Sequence, residues 1–136
     1  VAKVSVQSKV DAPVDKVWEL IGHFNALPDW HPAVTKSELE DGGKQRRLDL
    51  VGGGSIVERL DEHDHDSRTY RYSIVSGPLP VMNYAAVIRV EEDENGKAVV
   101  HWESEFEPMG PENDAVAAIQ GIYEAGFQNL KKMMGG

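Results

Sequence analysis

The chain has no cysteine. That excludes disulfides, thiolate nucleophiles and cysteine-ligated zinc or iron–sulfur centres. Positive charge is also scarce: 14 Lys and Arg stand against 23 Asp and Glu, for a formal net charge of −9. No basic stripe interrupts the acidic surplus, so nucleic acid and anionic membrane surfaces should be repelled. No apolar run nears the roughly 18–20 residues that a bilayer span requires. The opening residues Val1 to Val6 alternate like a strand and lack the apolar core of a signal peptide, which points to a cytoplasmic protein. Linkers, low-complexity tracts and internal repeats are missing too. With 136 residues and 40% hydrophobic content, the chain reads as one domain over residues 1–136.

What is present is alternation and tight turns. Residues 2–10 put Val4, Val6, Ser8 and Val10 on one face of a strand and Lys3, Ser5, Gln7 and Lys9 on the other. Asp11-Ala12-Pro13 then opens a helix, with Pro13 in its first turn and Val14, Val17, Trp18 and Ile21 at helical spacing. A second short helix is expected with Asn25 as its N-cap, closed by the Pro28–Pro32 region. Six strands follow, at 34–40, 45–51, 55–63, 68–76, 83–93 and 97–107. They are separated by Asp41-Gly42-Gly43, Gly52-Gly53-Gly54, Asp64-His65-Asp66, the Gly77–Pro80 loop and a turn at Asn95-Gly96. A long amphipathic helix ends the chain, with Ala115, Ile119, Ile122, Tyr123, Gly126, Phe127, Leu130 and Met134 on one stripe. Short turns make the strands an antiparallel meander, and only the last helix is long enough to cover its inner face. The expected class is α+β, a curved seven-stranded antiparallel sheet around a long C-terminal helix, with two short helices after strand 1. A cavity is left between sheet and helix.

Alternation also assigns the inner face. A turn of three glycines pairs Leu50 with Ile56 and Leu48 with Glu58. A three-residue Asp64-His65-Asp66 loop sets Tyr70, Tyr72 and Ile74 opposite Leu60, Glu58 and Ile56. In the last hairpin, a two-residue turn would bury Glu103 and Glu105. A Glu94-Asn95-Gly96 loop with left-handed Gly96 instead sets Ile88 against Trp102, Ala86 against Ser104 and Tyr84 against Phe106. Burying isolated charge costs several kcal/mol, so the three-residue loop is expected. The predicted lining is Leu48, Leu50, Ile56, Glu58, Tyr70, Tyr72, Ile74, Tyr84, Ala86, Ile88, Trp102, Ser104 and Phe106, with Ile119, Ile122, Tyr123 and Phe127 from the last helix. Hydroxyls, an indole N–H and one carboxylate among apolar groups suit the orientation of a ligand. The plainer alternative is a packed aromatic core.

Ala12-Pro13 with Val17-Trp18 and the segment Phe24-Asn25-x-Leu27-Pro28-x-Trp30-His31-Pro32 resemble the polyketide cyclase/dehydrase-like branch of the START and birch-pollen-allergen superfamily. So do Glu58-Arg59-Leu60, Tyr70-x-Tyr72-Ser73-Ile74 and Gly77-Pro78-Leu79-Pro80-Val81-x-Asn83-Tyr84. The resemblance spans essentially the whole chain. It implies the helix-grip fold and a pocket mouth flanked by Gly52–Gly54, Gly77–Val81 and Pro108–Pro111. It fixes no activity, because the superfamily holds carriers, hormone receptors and cyclases alike. Ring-forming cyclases of the superfamily commonly set arginine with tyrosine or serine inside the pocket to hold an enolate. Here Arg47, Arg59, Arg71 and Arg89 take outward parity, and only Arg46, near a strand end, is inward.

Glu58 breaks an apolar row in mid-strand. Desolvation should raise its pKa, with no cation expected beside it, and suit it to acid–base work or to donation toward a ligand carbonyl. Its plainer role is a structural bond to a tyrosine. His31 is a candidate proton donor or ligand partner beside the ligand-facing Trp30, the alternative being a surface histidine with Trp30 as a core plug. His63 and His65 share a spacing that invites metal, but they sit at a solvated hairpin tip with no third ligand, and no metal is expected. Gly52–Gly54 joins two strands without a following Lys-Ser/Thr, so it is no phosphate loop. No cofactor is called for. Three functions follow: a carrier or sensor for a small hydrophobic, polyketide-, lipid- or aromatic-like molecule; a cyclase or dehydratase using Glu58, Tyr72, Tyr84 and His31; and an acidic interaction module. The expected state is monomer or weak dimer.

Overall fold

A computed structural model of the chain describes residues 1–135. Strand β1 (Ala2–Pro13) leads into helices α1 (Val14–Ile21) and α2 (Leu27–Trp30). Strands β2 (Val34–Glu40), β3 (Gln45–Leu50), β4 (Ser55–Asp64), β5 (Thr69–Ser76), β6 (Val81–Glu92) and β7 (Lys97–Pro108) follow, and α3 (Glu112–Met134) closes the order. The sheet runs β1-β7-β6-β5-β4-β3-β2, each neighbour antiparallel. This is the expected α+β class, a helix grip of seven strands. The expected helix starts shift slightly. Pro13 ends the strand and caps α1 from outside, and Ala26, not Asn25, caps α2. The Asn25 carboxamide oxygen instead accepts from Ser37 Oγ at 2.6 Å.

Helix α3 packs against β1, β7 and α2 and buries Ala115, Ile119, Tyr123, Gly126, Phe127 and Leu130. Its stripe is continuous because these positions recur at the helical period. At Gly126 a Cβ would lie 2.7 Å from His31 Cδ2 and 3.0 Å from Trp30 Cζ3, so glycine is what lets α2 reach α3. Two polar ties hold that approach: His31 Nε2–H donates to the Ile122 carbonyl at 2.7 Å, and Asn129 Nδ2 donates to the Trp30 carbonyl at 2.9 Å.

The last hairpin has the register that burial demanded. Ile88 pairs with Trp102 and Ala86 with Ser104, and Gly96 is left-handed at φ 76°. The two earlier hairpins differ from expectation. Leu48 pairs with Ile56 and Arg46 with Glu58, because the turn takes residues 50–54 rather than the three glycines alone. Leu60 pairs with Tyr72 and Glu58 with Ile74, because the next loop takes residues 65–68 and β4 carries an irregularity at Asp61. Both registers slip by two residues, which leaves side chains on their faces but changes their neighbours.

The tip of the β4–β5 hairpin is docked rather than free. His63 Nε2–H donates to the Gly22 carbonyl at 2.6 Å, and Trp18 Nε1–H donates to His65 Nδ1 at 3.0 Å. Among the described residues no group of three or more His, Cys, Asp or Glu stands where it could hold a metal ion. Among them, too, no helix is long and apolar enough to cross a membrane.

Candidate functional site

Between the inner face of β3–β7 and the middle of α3 lies a cavity of about 180 Å³. Of the residues expected on its wall, Leu48, Leu50, Ile56, Glu58, Tyr72, Ile74, Tyr84, Trp102, Ile119, Ile122, Tyr123 and His31 are there. Trp30, Tyr70, Ile88, Ser104, Phe106 and Phe127, with Ala86, are not on this wall. They are buried in the packed layer around it. Strand parity tells inward from outward but not how far along the grip the space stays open. Trp30 and Phe127 pack on Trp102, with ring centroids 5.5 and 6.0 Å away. Tyr70 meets Phe24 and Trp18 beyond the cavity's end, and Phe106 stacks on Tyr84. Sequence reasoning missed Leu27, Ala33, Val34, Val51 and Leu79. Leu79 lies in the loop that the resemblance placed at the mouth. The other four come from the segment around α2 and the start of the β3–β4 turn, where no period marks a face.

Glu58 does face this space, but not alone. Arg46, 0% exposed, donates from Nε to Glu58 Oε1 at 2.8 Å, and its Nη2 stands 2.7 Å from the same oxygen. Arg46 Nη1 donates to the Phe24 carbonyl at 2.5 Å, and the guanidinium lies 4.2 Å from the Phe24 ring centre. The expectation that no cation stands beside Glu58 is therefore overturned. The two-residue slip of β3 on β4 brings Arg46 directly opposite it. Arg46 does not line the cavity; it lies behind Glu58 and holds that carboxylate by one oxygen. Among the described residues nothing donates to Oε2. Burial pushes the Glu58 carboxyl up, and Arg46 takes back part of that rise. Burial also works against the Arg46 charge, yet Glu58, Tyr70 and Tyr72 outweigh it and hold the guanidinium above its ordinary pKa.

His31 proves ill placed for proton transfer. Nε2–H is committed to Ile122, and Nδ1 accepts the Ala33 N–H at 3.1 Å, so the ring is a neutral brace between α2 and α3. Burial lowers its pKa, with the bond to Ile122 opposing. Only its carbon edge is left for the cavity.

The polar feature of the wall is a hydroxyl chain. Trp102 Nε1–H donates to Tyr72 Oη at 2.9 Å, Tyr72 Oη lies 3.1 Å from Tyr84 Oη, and Tyr84 bonds Tyr123 in turn. These four side chains carry four polar hydrogens and share three close bonds, so one O–H is left over unless Tyr123 turns it back toward Tyr72. Ser104 Oγ, buried beside Tyr123 without a hydrogen-bond partner among the described residues, would pass the surplus on rather than absorb it. Burial raises the pKa of Tyr72, Tyr84 and Tyr123, which keeps all three protonated at neutral pH. They are donors and not bases.

A seven-stranded grip with an internal cavity of this kind defines a class, and the comparisons place the chain within it. The chain belongs to the polyketide cyclase/dehydrase and lipid transport family, whose profile matches residues 1–135. It is 32% identical over 108 residues to the abscisic acid receptor PYL6 of Arabidopsis thaliana. That match takes in 68% of this chain and 48% of the receptor, so the chain spans about half the length of the curated relative it matches. Among solved structures it is similar to the protein XoxI from Bacillus cereus, with a TM-score of 0.96 and 34% identity over 98% of this chain and 96% of that one. An uncharacterised protein from Bacillus thuringiensis gives a TM-score of 0.94 and 36% identity over 97% and 98%.

Proposed function

We propose that this protein binds one small, largely apolar molecule bearing an oxygen acceptor, in the cavity between the sheet and α3. The observation that carries this reading is the surplus hydroxyl hydrogen on a wall that is apolar apart from these tyrosines and Glu58. A buried O–H without an acceptor is costly, roughly 1–3 kcal/mol, and a ligand carbonyl or hydroxyl oxygen would relieve it. A cavity of about 180 Å³ also exceeds the roughly 150 Å³ that suffices to admit benzene in an engineered apolar core. The receptor relative, named for a small-molecule hormone, supports a sensor or carrier role of the same kind.

Turnover is the second reading, and Glu58 favours it. Its carboxyl is raised by burial, stands on the cavity wall and keeps one oxygen without a partner among the described residues. It would act with the tyrosine donors as acid or base in a cyclisation or dehydration, without His31. The binding reading is tested with 2-naphthol, an uncharged fluorescent probe. It should bind one to one at neutral pH with the near-UV circular dichroism intact. Binding that arises only as tertiary structure is lost reports a molten state and refutes the reading.

A further inference from the structure

Strand β1 is an edge of the sheet and pairs with β7 alone. Two bonds fix which of its backbone groups point outward. Asp93 N–H donates to the Lys97 carbonyl at 2.8 Å, so the odd-numbered residues of β7 bond toward β6 and the even-numbered ones toward β1. Their partners in β1 are Ala2, Val4, Val6, Ser8 and Val10. The intervening Lys3, Ser5, Gln7 and Lys9 therefore turn both N–H and C=O to the free side. Asp11, next in that row, already uses it: its N–H donates to the Gly135 carbonyl at 3.2 Å. Among the described residues no backbone group meets the rest of the row.

Alongside β1, toward α3, lies a groove of about 180 Å³, distinct from the cavity. Gln7 stands on its strand bank, exposed Glu124, Gln128 and Lys131 on its helix bank, and buried Phe127 between them. A second copy of the chain is a poor occupant. Antiparallel pairing along the whole row would set Lys3 of each copy opposite Lys9 of the other, and like charges directly opposite repel. The same lysines suit a strand with a carboxylate at each end, and Lys131 adds positive charge beside Glu124. Lys9 has no ion pair among the described residues, and Lys3 meets Glu105 at 3.5 Å with both side chains largely exposed. We infer that the free edge of β1 takes up an extended acidic peptide as a further antiparallel strand, with one carboxylate over Lys3 and another over Lys9. Between them, residues opposite Ser5 and Gln7 face outward and suit small polar groups. The alternate residues turn inward with Val6 and Ser8, toward Phe127, and suit aliphatic ones.

The probe is the peptide acetyl-Glu-Val-Thr-Val-Thr-Val-Glu-amide, titrated into the full chain and followed by NMR. With free peptide at about ten times the Kd, amide exchange at Lys3, Ser5, Gln7 and Lys9 should slow about tenfold. Val4 and Val6, already bonded to β7, should change little. N-methylation of both threonines removes N–H groups that face β1 and should abolish binding. The double variant Lys3→Glu/Lys9→Glu alters exposed positions only, so folding should survive. It should weaken the acidic peptide about tenfold or more and accept the counterpart with lysine at both ends. Absence of binding, equal binding of the N-methylated peptide, or undiminished affinity in the double variant overturns the edge site. Each of these outcomes leaves the cavity reading in place.

Discussion

Replacing Glu58 by Gln tests whether the Arg46–Glu58 pair is what holds the inner face of β3 and β4 in register. Both side chains are out of solvent, at 1% and 7% exposure, so the change strands a guanidinium that cannot lose its proton. Breaking such a pair costs roughly 3–5 kcal/mol, about a third or more of the stability of an ordinary domain. Arg46→Met behaves differently, because the stranded carboxyl can take up a proton. In that variant the folded-state pKa of Glu58 lies further above its unfolded value than in the unaltered protein. The folded state then holds a proton that the unfolded state has released. Stability is full below the ordinary carboxylate range and falls as pH rises toward the raised pKa, by at most about 1.4 kcal/mol per pH unit. Glu58→Gln has no such slope from this site. The double variant Arg46→Met/Glu58→Leu removes both charges and should return to within about 2 kcal/mol of the starting protein, the residue of the loss being the donor to the Phe24 carbonyl. The assay is urea unfolding followed by tryptophan fluorescence between pH 4 and 8, with m-values compared to confirm one transition. A double variant no more stable than Arg46→Met alone at neutral pH, or a loss of under about 0.5 kcal/mol for Glu58→Gln, would refute the pairing and the register that produces it.

Phe127→Ala removes a buried ring between α3 and Trp102 and should cost roughly 3–5 kcal/mol in the same assay, whereas exposed Lys131→Ala should stay within about 0.5 kcal/mol. Equal small losses at both would mean that α3 is not gripped by the sheet. Because burial holds the His31 pKa below its ordinary 6.5, the unfolded chain takes up that proton first, and stability should fall as pH drops below 6.5. His31→Gln should abolish this component of the urea midpoint's pH dependence; an unchanged slope would place the effect on other groups.

Face and period were properties the sequence could determine by itself. A strand puts alternate side chains on alternate faces, so Leu48, Ile56, Glu58, Tyr72 and Tyr84 were assigned inward from spacing alone, and slips of two residues could not disturb that. The α3 stripe was equally local. The β6–β7 register was legible too, because the wrong turn would have buried Glu103 and Glu105. Where both turns buried the same faces, nothing local chose between them, and tertiary contacts did. The β4–β5 tip is set by His63 on Gly22 and by Trp18 on His65, from a helix more than forty residues away in sequence. Arg46 is held beside Glu58 by the Phe24 carbonyl, and His31 loses its proton chemistry to Ile122 and Ala33. How deep the cavity runs depended likewise on Gly126, whose missing side chain lets Trp30 and His31 fill one end of the grip. Partners distant in sequence carry no period, so these neighbours became fixed only when the chain closed on itself.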